Sequence, residues 1–174
     1  MSLAPADYDF GEPANYAFAE SVTCANDEAR KMYVEAHGHM LNYNHEQAIA
    51  CFMKCTELDP NCAMAWWGIA YCVSSNYNWS PGLGSGYDPI QQALKVMDHC
   101  TELEQDLIRA LSTRHSKEAR DAADPTVLNM GNDMELNVAF AEAMAPLHEK
   151  YAGNLDVTAI YVEALMNLKA WQLW

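Results

Sequence analysis

The chain has 174 residues, 51% of them hydrophobic and 10% aromatic, with 24 acidic against 10 basic side chains and a formal net charge of −14. That composition reads as one soluble globular domain. It excludes a disordered or low-complexity chain, a membrane span built on continuous apolar residues, and nucleic acid as a default partner, because phosphate contacts need clustered Lys and Arg. The acid is uneven: residues 1–28 carry six carboxylates and no Lys or Arg, residues 29–120 ten against eight, and residues 121–174 eight against two. Basic peptides therefore suit the chain better than anions. Six cysteines in a chain this long read as reduced thiols rather than a disulfide framework. The N-terminal residues carry neither a basic nor an apolar leader region, so a cytoplasmic location is expected.

Residues 1–25 contain Pro5, Gly11 and Pro13 and lack sustained period, which predicts a largely irregular acidic arm with at most one helical turn near Tyr16–Glu20. A helical domain follows over 26–174. Asn26 caps a first helix with apolar Met32, Ala36, Met40 and Leu41 at helical spacing, ending near Asn42. Asn44 with Gln47 opens a second, closed by Asp59-Pro60, and Asn61 caps a third that is apolar nearly all round and runs to about Asn76. A Gly-rich insertion over about 77–88 separates it from a fourth helix, which starts at Asp88-Pro89 and runs to about Cys100. Thr101-Glu-Leu-Glu104 is a capping-box pattern for a fifth helix ending near Ser116. A sixth spans about Asn132–Tyr151, bent at Pro146 and stopped by Gly153, and a seventh runs from Asp156 to the end. The predicted fold class is all-α, built from antiparallel helix pairs, about seven helices in all.

The first closed pair repeats on a period of about 34 residues, with Ala48, Phe52 and Cys55 ahead of Asp59-Pro60 and Trp66 opening the next unit. Asn44-His45-Glu46-Gln47-Ala48-Ile49 and Leu58-Asp59-Pro60-Asn61-Cys62-Ala63-Met64-Ala65-Trp66-Trp67-Gly68-Ile69-Ala70 resemble a tetratricopeptide-repeat group of bacteria and algae. Asn76-Tyr77-Asn78 and the terminal Glu163–Trp174 segment are similar to that group as well. Ala36 stands where the repeat usually has Gly, and Gly82 where the second unit's packed Ala is expected, so the second unit departs from the pattern after its first helix. The resemblance implies a right-handed helical solenoid, of which this chain is an N-terminal portion, and a concave groove that binds extended peptides. Transferred residue by residue, it puts Tyr33, His37, Met40, Met64, Trp67 and Tyr71 on that groove, while Trp66 and Met32 fall at packing positions. Aromatic rings and methionines suit a peptide groove, since they offer contact area at low entropic cost.

Other constellations point to chemistry less directly. His37, His39 and His45, followed by Cys51, Cys55, Cys62 and Cys72, offer zinc-type donors. No metal is nonetheless expected, because no Cys-x-x-Cys or His-Glu-x-x-His spacing is present, and His37 and His39 diverge around the helix. The cysteines then read as packing residues and no cofactor is called for. A nucleophile elbow and a phosphate loop are both missing, so a catalytic role has thin support. Asn76, Asn78, Trp79 and Tyr87, around the Gly-rich insertion, form a candidate small-ligand loop. Trp171 and Trp174 end the chain on an apolar face suited to self-association. The expected function is a non-catalytic scaffold for a peptide or protein partner, with a basic one suited to the acidic chain. Two alternatives stand beside it: the N-terminal portion of a larger metal-dependent enzyme, and a structural subunit docking through the C-terminal apolar face.

Overall fold

A computed structural model of the chain describes residues 17–78, 85–122 and 134–173, and among these every regular element is helical. The helices are α1 (Ala17–Ser21), α2 (Asp27–Leu41), α3 (His45–Leu58), α4 (Ala63–Val73), α5 (Tyr87–Val96), α6 (Glu102–Ser112), α7 (Lys117–Ala122), α8 (Met134–Lys150) and α9 (Leu155–Asn167). One 3-10 turn, Met97–His99, follows α5. No helix among them is long and apolar enough to cross a membrane.

Local chemistry sets most boundaries. Asn26 caps α2 by accepting from the Ala29 amide at 2.9 Å, and Asn154 caps α9 by accepting from the Val157 amide at 3.0 Å. Thr101 and Glu104 form the full capping box on α6. Gly153, at φ +90°, breaks the chain between α8 and α9 in a conformation that side chains rarely adopt. Two expected caps are absent. Neither Asn44 before α3 nor Asn61 before α4 gives its helix a side-chain cap, and the residue at the α4 cap position is Cys62. Asp59 does the work there, accepting from the Asn61 amide at 3.1 Å and from the Ala25 amide at 2.7 Å. It closes the turn and ties it to the segment before α2. The insertion ends one residue sooner than expected, with Tyr87 opening α5, and α8 continues through Pro146. The short α7 has too little apolar period to be read from sequence.

Consecutive helices pack as pairs: α2 on α3, α3 on α4, α4 on α5, α5 on α6, and α8 on α9. Every second helix also meets, α2 with α4, α4 with α6 and α6 with α8. A three-residue link between α2 and α3, with Tyr43 at φ 59°, leaves only an antiparallel pair. The tightest interlock is between α3 and α4. A Cβ at Gly68 would lie 2.4 Å from the Phe52 ring, so only glycine lets the ring seat against the α4 backbone. Trp67 fills the next layer, stacked on Tyr71 at 5.1 Å between centroids and donating its Nε1 proton to the Leu107 carbonyl of α6 at 3.1 Å. Phe18, Ala19 and Val22 are buried in the same core, so the end of the expected irregular arm is structural, held by packing rather than left in solvent.

Candidate functional site

The six residues expected on an open groove are all buried: Tyr33, His37, Met40, Met64, Trp67 and Tyr71. This is a correction with a clear cause. Side chains of α9 reach this face, Asp156 towards His37 and Ile160 and Glu163 towards Met40 and Tyr71, while Trp67 is covered by Tyr71 and α6 and Tyr33 by His37 and Phe52. The Asp156 carboxylate lies 3.1 Å from His37 Nε2, without the alignment of a hydrogen bond. Glu163 accepts from the Tyr43 hydroxyl at 3.3 Å. Burial pushes the Glu163 carboxyl above its ordinary range, and hydrogen bonds from Tyr71 and Tyr43 and the charge of Arg114 partly offset that. Burial raises Tyr71 as well. Tyr33 stacks on His37 at 6.0 Å, and its hydroxyl has no hydrogen-bond partner among the described residues.

What stays open between these helices is a cavity of about 80 Å³, lined by Met40, Leu41, Tyr43, Tyr71, Ala159, Ile160 and Glu163. It is large enough for a few waters and far too small for a peptide or for a drug-sized ligand. Met40 and Tyr71 reach it; Tyr33, His37 and Trp67 do not.

Of the candidate small-ligand loop, Asn76, Asn78 and Tyr87 are among the described residues. Asn76 is hydrogen bonded to His45 Nε2 at 3.2 Å and accepts from the Asn78 amide at 2.9 Å, which folds this stretch onto α3. Tyr77 meets Tyr43 edge on. Tyr87 opens α5, with the Arg120 guanidinium 4.9 Å above its ring and Arg120 paired to Asp88. Trp79 lies outside the described residues, as does Trp174 at the C-terminus.

The three histidines weighed as metal ligands are separated. His37 is in the core beside Asp156, and burial holds His45 below its usual pKa while Asn76 contacts its ring. His39 lies instead with Glu35 and Cys51 on the surface of the α2–α3 pair. A different group of donors is gathered where the segment before α2, the end of α3 and the start of α4 meet. Cys24, Cys55 and Cys62 bring their three sulfurs within 4.8 Å of one another, with Cys24 and Cys62 3.2 Å apart. The neighbouring thiols favour the anionic form of Cys24 and hold it well below the usual thiol range, while hydrogen bonding to Cys24 pushes Cys55 and Cys62 up. The sequence reading has Cys55 and Cys62 as packing residues and counts Cys24 among the reduced thiols without placing it with the zinc-type donors. Nothing in their spacing signals the group, since Cys24 and Cys62 are 38 residues apart and meet only through the fold.

The other feature open to a partner is the outer face of α9. Leu155, Val162 and Leu165 fall on one side of the helix and are 73%, 47% and 43% exposed, and Trp171 beyond its end is 63% exposed. On the opposite side Val157, Ile160 and Ala164 are buried. Helix α9 is therefore apolar on two faces and covered on one. No family model, curated protein or solved structure matches the chain, so its own geometry carries the functional reading.

Proposed function

We propose that the protein is a non-catalytic helical scaffold, tetratricopeptide-like in architecture, whose docking surface is the outer face of α9 and whose partner is a basic amphipathic helix. The alternation of contacts, with α2, α4, α6 and α8 meeting in turn while α3 and α5 pack on their neighbours, supports the repeat architecture. The observation that carries the docking role is the uncovered stripe Leu155, Val162 and Leu165 with Trp171 nearby. Scattered exposed apolar residues need no explanation, but a row along one helix is the surface that helix-in-groove and helix-on-helix partners use. The charge of the partner follows from the surroundings. Residues 121–174 carry eight carboxylates against two basic side chains, so basic flanks gain attraction and acidic ones meet repulsion. The inner face, where a peptide groove was expected, already holds α9.

The test is binding of a designed helical peptide with Leu at i, i+3, i+4 and i+7 and Lys and Arg on its flanks, compared with a scrambled peptide of the same composition. The ordered peptide binds, the scramble binds at least tenfold more weakly, and replacement of Leu155, Val162 and Leu165 by Asp removes the difference. Equal binding of both peptides, or unchanged binding after the triple replacement, contradicts the proposal. Concentration-dependent dimerisation that the triple replacement abolishes, without peptide binding, replaces the heterologous partner with a second copy.

A further inference from the structure

We propose that Cys24, Cys55 and Cys62 form a three-thiolate site for a soft d10 metal cation, Zn2+ or Cu+. The argument starts from convergence. A cysteine buried for packing sits apart from other thiols, as Cys72 does in α4, whereas here three separate segments bring their sulfurs together. A zinc ion bound at the usual metal–sulfur distance of about 2.3 Å sets its sulfurs about 3.8 Å apart. The three sulfurs lie within 4.8 Å of each other with the Cys24–Cys62 pair at 3.2 Å, so shifts of about 1 Å bring all three to that spacing. Thiolates are the ligands that select zinc and monovalent copper over the hard cations.

The second strand of the argument is how firmly the Cys24 segment is held. The Thr23 amide and hydroxyl both donate to Glu104, each at 2.7 Å, and Glu104 is itself fixed by the capping box of α6. The Ala25 amide donates to Asp59 at 2.7 Å, the Asn26 amide group donates to the Leu58 carbonyl at 3.3 Å, and Arg30 donates to the carbonyls of Glu20, Val22 and Cys24. The loop is thus anchored to α2, to the turn after α3 and to α6 before any ion arrives. Little ordering cost is left for the ion to meet. The Asp59 carboxylate acts on the group with negative charge that favours a cation, and the Arg30 guanidinium beside Cys24 opposes it. Cys55 and Cys62 are fully buried and Cys24 is half-buried. An ion therefore enters from the Cys24 side, and solvent there supplies the fourth ligand that zinc takes. On binding, each thiol gives its proton to solvent as its metal–sulfur bond forms. The other compact donor set among the described residues, Glu35, His39 and Cys51, mixes hard and soft donors, with Glu35 exposed and His39 and Cys51 half-buried.

The experiment strips the full chain with a chelator under thiol reductant and reloads it separately with Zn2+ and with chelator-buffered Cu+. Metal per chain is counted, and affinity is read by competition with a chromogenic chelator. The expected result is one ion per chain for at least one of the two metals, with Cys24→Ser weakening binding at least tenfold and Cys51→Ser leaving it unchanged. Circular dichroism checks that the variants fold. Should Cys24→Ser fail to fold, alkylation of the wild-type chain decides: bound metal shields Cys24 and leaves Cys51 reactive. Binding no tighter than in Cys24→Ser, or equal alkylation of Cys24 with and without metal, overturns the proposal. A Cys24–Cys62 disulfide that persists in excess thiol reductant overturns it too and assigns the pair to a structural cross-link.

Discussion

Helices α4 and α9 are both apolar on more than one side, and the fold treats them oppositely. Nine of the residues of α4 are buried, because α3, α5, α6 and α2 all pack on it. Helix α9 buries only four residues and leaves Leu155, Val162 and Leu165 in solvent. An all-round apolar helix thus marks the centre of a helical array when its sequence neighbours supply the cover. The same pattern marks an interface when they do not.

That contrast can be broken from the α4 side first. Phe52→Ala removes the ring that seats against Gly68 and is expected to cost about 3–5 kcal/mol, the range for emptying a fully buried aromatic site, read as a lowered denaturant midpoint. A loss under about 1 kcal/mol would mean that the α3–α4 contact is looser than described. Gly68→Ala pushes a methyl into the same ring from the other side. The ring has to shift, at about 1–3 kcal/mol, although alanine is the better helix former.

Acidity sharpens the comparison next, because α4 and α5 meet beside a titratable group. His115 lies against Gly86, and its Nε2 is 3.4 Å from the Ser74 hydroxyl; burial first and the charge of Arg114 second lower its pKa from 6.5 to about 3. Below pH 6.5 the unfolded chain takes up a proton that the folded chain refuses, so stability from this group is complete above 6.5 and is lost progressively as pH falls towards about 3. The loss is at most about 1.4 kcal/mol per pH unit. Burial lowers His45 as well, which gives the same sign. His115→Gln is expected to flatten the slope of unfolding free energy between pH 6.5 and 5; an unchanged slope would place the proton elsewhere. At the small end, Leu155→Ala changes stability by no more than about 0.5 kcal/mol, since that side chain is 73% exposed. A larger loss in thermal unfolding would show that the outer face of α9 is covered within the chain.

The helical framework was legible because its signals are local. Asn26 as a cap, the Thr101–Glu104 box and the Gly153 stop act within one or two turns, and the structure has each of them. The sites were not legible, for a physical reason that particular residues make plain. Whether His37 and Tyr71 line a groove or a core depends on where α9 lies, and that is set by contacts between residues more than a hundred positions apart, such as Tyr43 with Glu163. The thiol group is hidden in the same way, as Cys24 reaches Cys62 only after the loop is fastened to Asp59 and Glu104.

The most direct measurement is a methyl-resolved NMR titration of the full chain with the basic amphipathic peptide. Shifts confined to Leu155, Val162 and Leu165, with Met40 and Ile160 unmoved, are the result the account predicts. Shifts at Met40 and Ile160 with the outer three unmoved would show that the peptide displaces α9 and takes the inner face, and would contradict it.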